Sequence, residues 1–462
     1  MAIFALIGIL ASHKSKASSE DYLLASNTIP ASISALSMMS SKFSGYMFIG
    51  FIGFVYLKGF SGILLAAGLV AGDFIGLHLF SNKIKQLHNK YKSLSYEDLI
   101  SQRASGVYKK LRFVLASLIL ILLSIYISAQ LKASSKAIHG ILDWPENSGI
   151  FICAAFVLFY SWSGGIRASM WTDAIQSILM IVSAIALGIY SIVHLGGIHN
   201  FFIQANSISE SYFSIFKSNI SIGGVEGILI FSIGWLFGGF AILGQPHAMI
   251  RILALNNIKN LKSMKKYYYL SSLILLIALF IVGISCRLIL KQNGLDGFDP
   301  EMALPLLSLQ LMPSIFVGII LAGIFAAVMS TVDSQILSCS AAVSQSLTKN
   351  KTSYFFNKVV TVVLIILTSL MALFATGSVF DLVVFAYAIL GVTLGTAIII
   401  QVIFPKMKES ICLAIVILSG MSSVVWVLAG YKSIATESLI GFVVSFTLMI
   451  FYKIFCLFKK TK

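Results

Sequence analysis

Lys42 is the one charged residue between Ile29 and Leu57, where it sits in the run Ser40-Ser41-Lys42-Phe43-Ser44-Gly45-Tyr46. It lies about thirteen residues from either end of that run, or about 20 Å at 1.5 Å per residue. That is farther than a lysine can snorkel. An ammonium at this depth is a fixed cation in a polar cavity, and it either pairs with a carboxylate of a bound molecule or stands in for an ion. A second polar constellation, Ser330-Thr331-Val332-Asp333-Ser334-Gln335, interrupts another apolar run. Ser330 and Ser334 share a helix face, with Thr331 and Asp333 on either side of it. Two adjacent hydroxyls plus unwound backbone carbonyls form a hard-oxygen site suited to a small alkali cation. The alternative is that the hydroxyls bond the carbonyl one turn back. Asp333 needs a partner or a task, because an acid in a span costs ~2.5–3.5 kcal/mol on insertion scales. Asp173 lies beside Thr172 and Gln176 at the start of a further apolar run, where it either complements the helix dipole or serves an ion path.

These residues need long apolar helices to position them. The chain has 462 residues, 58% hydrophobic and 11% charged, with mean hydropathy +0.94. Spans of ~20 residues are read at 31–56, 60–80, 113–137, 150–164, 171–195, 223–250, 268–290, 313–346, 357–376, 380–403, 411–430 and 434–458. Met1 to Ala11 reads as a curtailed first helix, making about thirteen segments. The net charge of +16 comes mostly from short loops, which is the pattern of membrane topology and not of a nucleic-acid-binding face. The loops from Ser81 to Arg112 and from Arg251 to Lys266 are basic and expected in the cytoplasm. Asp143, Glu146, Glu210, Asp296, Asp299 and Glu301 mark outer loops, which puts the N-terminus outside and the C-terminus in the cytoplasm of a cell (inner) membrane. The five cysteines have no metal-ligand or CxxC spacing and are expected as free thiols. No HExxH, GxSxG or Asp/His cluster points to an enzyme.

Two spans five helices apart are interrupted by small residues, one at 40–45 and the other at Gly238-Gly239 and Gly244-Gln245-Pro246. An odd number of helices between them inverts the second copy. Matched breaks in inverted halves point to a transporter's central site, because unwound backbone can bind ions and solute. Packing is the other role open to such glycines. On this reading Lys42, Ser44, Gly45, Gly239, Gln245 and Pro246 face a solute near the midplane.

The strings SSKFSGYMFIGFIGFVY (40–56), GGIRASMWTDAIQSILM (164–180), GQPHAMIRILAL (244–255) and MSTVDSQILSCSAAVSQSL (329–347) resemble the sodium:solute symporter family, most closely its sodium/proline symporter branch. The resemblance implies an all-α polytopic fold with a core of two inverted five-helix repeats. That core runs over 29–404, after a curtailed helix and loop at 1–28 and before two flanking helices and a basic tail at 405–462. It implies sodium as the coupling ion with no other cofactor, and as partners a small solute, proline or a related amino acid or carboxylate, and the bilayer. Sodium ligands would be the carbonyls of Ser40, Phe43 and Ala327 with the side chains of Ser330 and Thr331. Asp173 matches the family's acid on the ion path, and Asp333 is placed there as well. Lys42 stands where proline symporters carry an aspartate. The readings outside coupled symport are a transporter-like solute sensor and an inactive or non-sodium-coupled member of the same fold.

Overall fold

The computed structural model describes residues 18–214, 222–295, 297–347 and 354–460; the expected helix at Met1 to Ala11 lies outside them. The described chain is helical apart from one hairpin, β1 (Gln102–Arg103) with β2 (Gly106–Val107). Short helix α1 (Ser19–Leu24) starts where Ser18 accepts from the Asp21 amide. Next come α2 (Ala31–Lys42), a π turn over Met47–Phe51 and α3 (Ile52–Lys58), followed by α4 (Ser61–Tyr91), α5 (Tyr96–Ser101), α6 (Lys109–Leu142), α7 (Ser148–His194) and α8 (Ile198–Ser207). The second part holds α9 (Gly224–Phe240), a 3₁₀ turn over Ala241–Gly244, α10 (Pro246–Ala254), α11 (Leu261–Gln292), α12 (Ala303–Leu311), α13 (Ser314–Ala342), α14 (Tyr354–Phe374), α15 (Val379–Ile403), α16 (Glu409–Leu428) and α17 (Glu437–Lys460).

Among the described residues ten helices are long and apolar enough to cross a membrane. About thirteen segments were expected. The difference lies in the broken helix 31–58, in the shorter apolar Ser148–Phe159 stretch and in the stub outside the described residues. The segments read as 150–164 and 171–195 are two helical stretches of α7 that meet at a sharp, non-helical kink at Gly165, φ 55° and ψ −153°. A Cβ there would lie 2.6 Å from Tyr22 Cδ2 and from the Tyr22 carbonyl, so both the backbone conformation and the packing call for glycine.

Both expected interruptions are present. The first falls at Phe43 (φ −84°, ψ 66°), directly after Lys42. The second falls later than the glycine pair suggested: Gly238 and Gly239 are still helical, and the chain unwinds over Ala241–Gln245 before Pro246 starts α10. Proline suits that first helical position because its missing N–H would have had no partner there. Gly239 instead packs against α4, where an added Cβ would lie only 2.0 Å from the Leu69 carbonyl oxygen. Gly72 faces Leu236 O in the same way at 1.8 Å. Glycines 68, 72 and 76 recur every four residues along α4, the small-residue stripe that lets two membrane helices meet backbone to backbone. That stripe fixes α4 and its Asp73 against the second broken helix.

On one face of the bundle the start of α2 meets the end of α10. Ile29 N donates to Ala254 O (3.3 Å) and Asn256 N to Ile29 O (3.0 Å). The two broken helices therefore run in opposite directions. Lys85, assigned from sequence to a loop, lies on α4 and is buried, donating to the carbonyls of Leu253 and Leu255 at 2.5 and 2.7 Å. Arg167 adds an ion pair with buried Asp21 (2.5 Å) and a bond to Thr28 Oγ1 (2.9 Å). Exposed Phe74, Leu79, Ile121 and Val193 give the outer helix faces the apolar surface that lipid requires.

Candidate functional site

Three successive residues at the end of α2 serve two different centres. The carbonyl of Ser40 accepts from Ser330 Oγ at 3.0 Å and lies 3.4 Å from Thr331 Oγ1, which is also 3.3 Å from Ser41 O. Both hydroxyls also bond Ala327 O, at 3.2 and 3.0 Å. These groups are all buried. The convergence occurs because α2 stops at Lys42: its last carbonyls have no helical amide to receive them, and α13 supplies hydroxyls instead. Four of the five sequence-derived ion ligands, Ser40, Ala327, Ser330 and Thr331, thus meet at one point. Phe43, the fifth, has non-helical ψ, which turns its carbonyl out of the α2 hydrogen-bond ladder. Hydroxyls that now donate to carbonyls can rotate to present lone pairs, so a small bare cation fits this oxygen set. It would replace the donated hydrogen bonds.

The side chain of Lys42 points elsewhere. It makes an ion pair with Asp73 of α4, both side chains 2% exposed, and its Nζ lies 5.0 Å from the Phe43 ring centroid. Tyr268 Oη donates to the same carboxylate oxygen at 2.9 Å. Asp73 was not among the site residues read from the sequence. The signal was present: Asp73 is the only charged residue of the 60–80 run, beside a glycine of the packing stripe.

Asp173 belongs to a separate network. Arg251 pairs with it at 2.9 Å, both fully buried, and donates through Nε to Ser37 Oγ at 3.0 Å and through Nη2 to Ser334 Oγ. Ser37 donates to Asp173 at 2.7 Å, and Ser41 and Ser334 hydroxyls lie 2.9 Å apart. Arg251 was assigned from sequence to a basic loop. It lies instead in the last turn of α10, which runs four residues past the expected end. The network therefore links the oxygen site to Asp173 through Ser334. Asp333, next to Ser334 on α13, is buried.

The remaining positions separate into contact types. Gly45 N donates to Gln130 Oε1 at 2.8 Å, and Ser44 Oγ lies 3.4 Å from Tyr126 Oη. Gln245 bridges to the Tyr387 carbonyl at 2.8 Å. Pro246 lines a crevice with Leu23 and Tyr96, away from Lys42. Lys42 itself, with Tyr46, Leu69, Trp235, Tyr387, Thr436 and Ser438, lines a small cavity of about 20 Å³, room for about one water. Above it Phe380 meets Tyr46, Phe54 and Trp235 at centroid distances of 6.1, 5.6 and 6.0 Å. Beyond this aromatic layer opens a vestibule of about 480 Å³ that includes Lys58, Asp381 and Lys432.

Residues 22–419 match the family model described as the sodium:solute symporter family. The chain belongs to the sodium:solute symporter family. Similar curated proteins include the high-affinity proline transporter PutP of Bacillus subtilis, 25% identical over 458 residues, covering 97% of this chain and 95% of that protein. The sodium/proline symporter of Salmonella typhimurium is 26% identical over 457 residues, covering 95% and 88%. Among solved structures, a Na⁺-coupled sialic acid symporter in a substrate-bound outward-open state superposes with TM-score 0.80 at 20% identity, over 97% of this chain and 94% of that one. The nucleobase-cation-symport-1 family transporter Mhp1 gives 0.54 at 12% identity, over 93% and 94%. These two likenesses concern the fold. Sodium is the coupling ion of the family.

Proposed function

We propose that this family member couples inward sodium movement to uptake of a small organic solute, proline or a related amino acid or carboxylate. The observation that carries the reading is the meeting of the Ser330 and Thr331 hydroxyls with the Ser40 carbonyl at the first helix break. Sodium held by Ser40, Phe43, Ala327, Ser330 and Thr331 would tie α2 to α13. Its release toward Ser334, Asp173 and Asp333 would loosen that tie and let the α2–α10 contact around Ile29 separate. Lys42, Ser44, Gly45, Gly239, Gln245 and Pro246 are the positions proposed for the solute region. Lys42 lines the small cavity itself, Ser44, Gly45 and Gln245 stand on the flanking breaks, while Gly239 and Pro246 shape the second broken helix from its packed sides.

The topology proposed is a multi-pass cell (inner) membrane protein with the Ser81 to Arg112 segment in the cytoplasm. The core would comprise two inverted five-helix repeats over 29–404, flanked by 1–28 and 405–462. In this arrangement the α2–α10 contact closes the inner side and the aromatic layer around Phe380 the outer side.

Uptake of radiolabelled amino acids into proteoliposomes, with and without an inward sodium gradient, tests the function. Sodium-driven accumulation of proline or a related solute is expected; equal uptake in both conditions for the whole panel would refute coupling. Labelling single cysteines near Asp143 and in the basic segment with an impermeant maleimide checks the orientation, the first being expected to react in intact cells.

A further inference from the structure

Four lysines share one groove on the outside of the bundle. Lys259 just before α11, and Lys262, Lys265 and Lys266 in its first two turns, line a space of about 590 Å³ between α11 and α4. Lys259, Lys262 and Lys266 are exposed and Lys265 is half-buried. No aspartate or glutamate lines this groove, and none of the four lysines forms an ion pair among the described residues. Like charges three and four residues apart on a helix repel. The cluster therefore costs stability unless an anion covers it.

The two walls run antiparallel, since Lys85 of α4 reaches the Leu255 carbonyl before α11 while Asp73 meets Tyr268 within it. Both walls grade from polar to apolar in the same direction. On α4 the order is Asn82, His78, Phe74, with the last two rings stacked at 5.5 Å. On α11 the lysines give way to Tyr269, whose ring lies 5.6 Å from that of Phe74, and the exposed face continues as Leu270, Leu273 and Ile277. A free phosphate would satisfy the lysines and leave this aromatic floor and apolar stripe bare. A hydrocarbon chain alone would do the reverse.

We propose that this groove binds an anionic phospholipid, with the headgroup phosphate among Lys259, Lys262, Lys265 and Lys266 and an acyl chain laid over Phe74 and Tyr269 along the Leu270, Leu273 and Ile277 face. Basic groups at a membrane surface attract anionic headgroups, and the apolar floor gives the chain a place to lie. A zwitterionic phospholipid fits less well, because four unpaired lysines repel its ammonium. The buried side of the same helix pair carries the Tyr268–Asp73 bond at 2.9 Å, so a seated lipid braces the helix that holds the counter-ion of Lys42. This assignment needs the chain to lie in a membrane, and it is independent of solute and coupling ion.

The test titrates the full chain in detergent micelles with dioleoyl phosphatidylglycerol or dioleoyl phosphatidylcholine, reading bound lipid by native mass spectrometry and stabilisation by thermal shift. The wild type should bind phosphatidylglycerol about tenfold more tightly than phosphatidylcholine, on the scale of about fivefold per lysine near an anionic surface. Lys262→Gln with Lys266→Gln should remove most of that preference and leave phosphatidylcholine binding unchanged, whereas Lys262→Arg with Lys266→Arg should keep it. Lys406→Gln with Lys408→Gln takes the same charge from another exposed segment and should change neither lipid. Equal loss from the two glutamine pairs would mean attraction to net charge and would overturn the site, as would equal binding of the two lipids by the wild type. Inorganic phosphate and glycerol 3-phosphate, added at constant ionic strength, form the soluble arm. Neither should compete; displacement of phosphatidylglycerol by either would mean a site for a free anion and would overturn the lipid assignment.

Discussion

The end of α2 carries two buried centres built from opposite materials. Ser40 and Ser41 offer backbone carbonyls to the neutral hydroxyls of Ser330 and Thr331, while the next residue, Lys42, commits a full charge to Asp73. Neutral hydroxyls can exchange one set of bonds for a cation by rotating. Formal charges cannot be uncovered in a low-dielectric interior without a replacement partner. On the proposed reading, one helix break thus supports a neutral centre for an exchanging ion and a charged centre that must stay paired. The pairing also bears on the first. A lone lysine ~6 Å from a bound sodium would oppose it by roughly 3 kcal/mol at an effective dielectric of 20, and Asp73 removes most of that penalty.

The contrast is tested most severely by unpairing the charged centre. Asp73→Ala should cost ~3–5 kcal/mol, read as a lower melting temperature in detergent. The double variant Lys42→Met with Asp73→Leu should recover most of that loss, since an apolar pair of similar volume removes both buried charges. If the single variant melts like the wild type, the pair is not a buried ionic contact.

The support beneath the pair comes next in magnitude. Gly239→Ala would press a methyl on the Leu69 carbonyl of α4 and should cost ~1–3 kcal/mol through overpacking. Gly430→Ala provides a contrasting control, because that glycine has open space around its Cβ direction but a φ of 81°. Its cost should come from backbone strain alone, ~1–2 kcal/mol, without change in ligand binding. A Gly239→Ala protein with unaltered melting and unaltered binding would show that α4 and α9 meet less closely.

The neutral centre should be the mildest of the three in stability. Ser330→Ala with Thr331→Ala removes two modest hydrogen-bonding groups, ~0.5–1.5 kcal/mol each, and leaves a residue that favours helix. Smaller still is the exposed Lys432–Asp381 pair at 3.0 Å. Lys432→Ala should cost no more than ~1 kcal/mol in a thermal melt, an effect that salt screens. A larger loss there would mean that the vestibule wall is held by charge.

Much of the neutral centre was legible because its parts lie in contiguous motifs whose residue types are out of place in apolar runs. Ser330, Thr331 and the break at Ser40 to Gly45 stand out by chemistry before any geometry is known. The charged partners did not, for two physical reasons. Lys42 finds its counter-ion on the next long helix, 31 residues on, and the sequence contains no statement of which helix faces which. Arg251 and Lys85 look like loop charges because hydropathy registers only their charge, whereas both cap or pair groups exposed by a broken helix. The glycine stripe at 68, 72 and 76 did carry the missing information, for it marks the α4 face that packs on α9 and sets Asp73 beside Lys42. Likewise the second break was expected at Gly238-Gly239 and Gly244-Gln245-Pro246; the first pair stays helical and serves packing, and the chain leaves the helix at the second group.

The central claim is that the neutral oxygen centre is where sodium drives transport. The most direct measurement is initial uptake of the transported solute into proteoliposomes as a function of external sodium, for wild type and for Ser330→Ala with Thr331→Ala, at matched reconstituted protein. Wild-type uptake should rise and saturate with sodium, and the double variant should show no sodium-stimulated component while remaining folded and inserted. Retention of the wild-type sodium response in that variant would contradict the account.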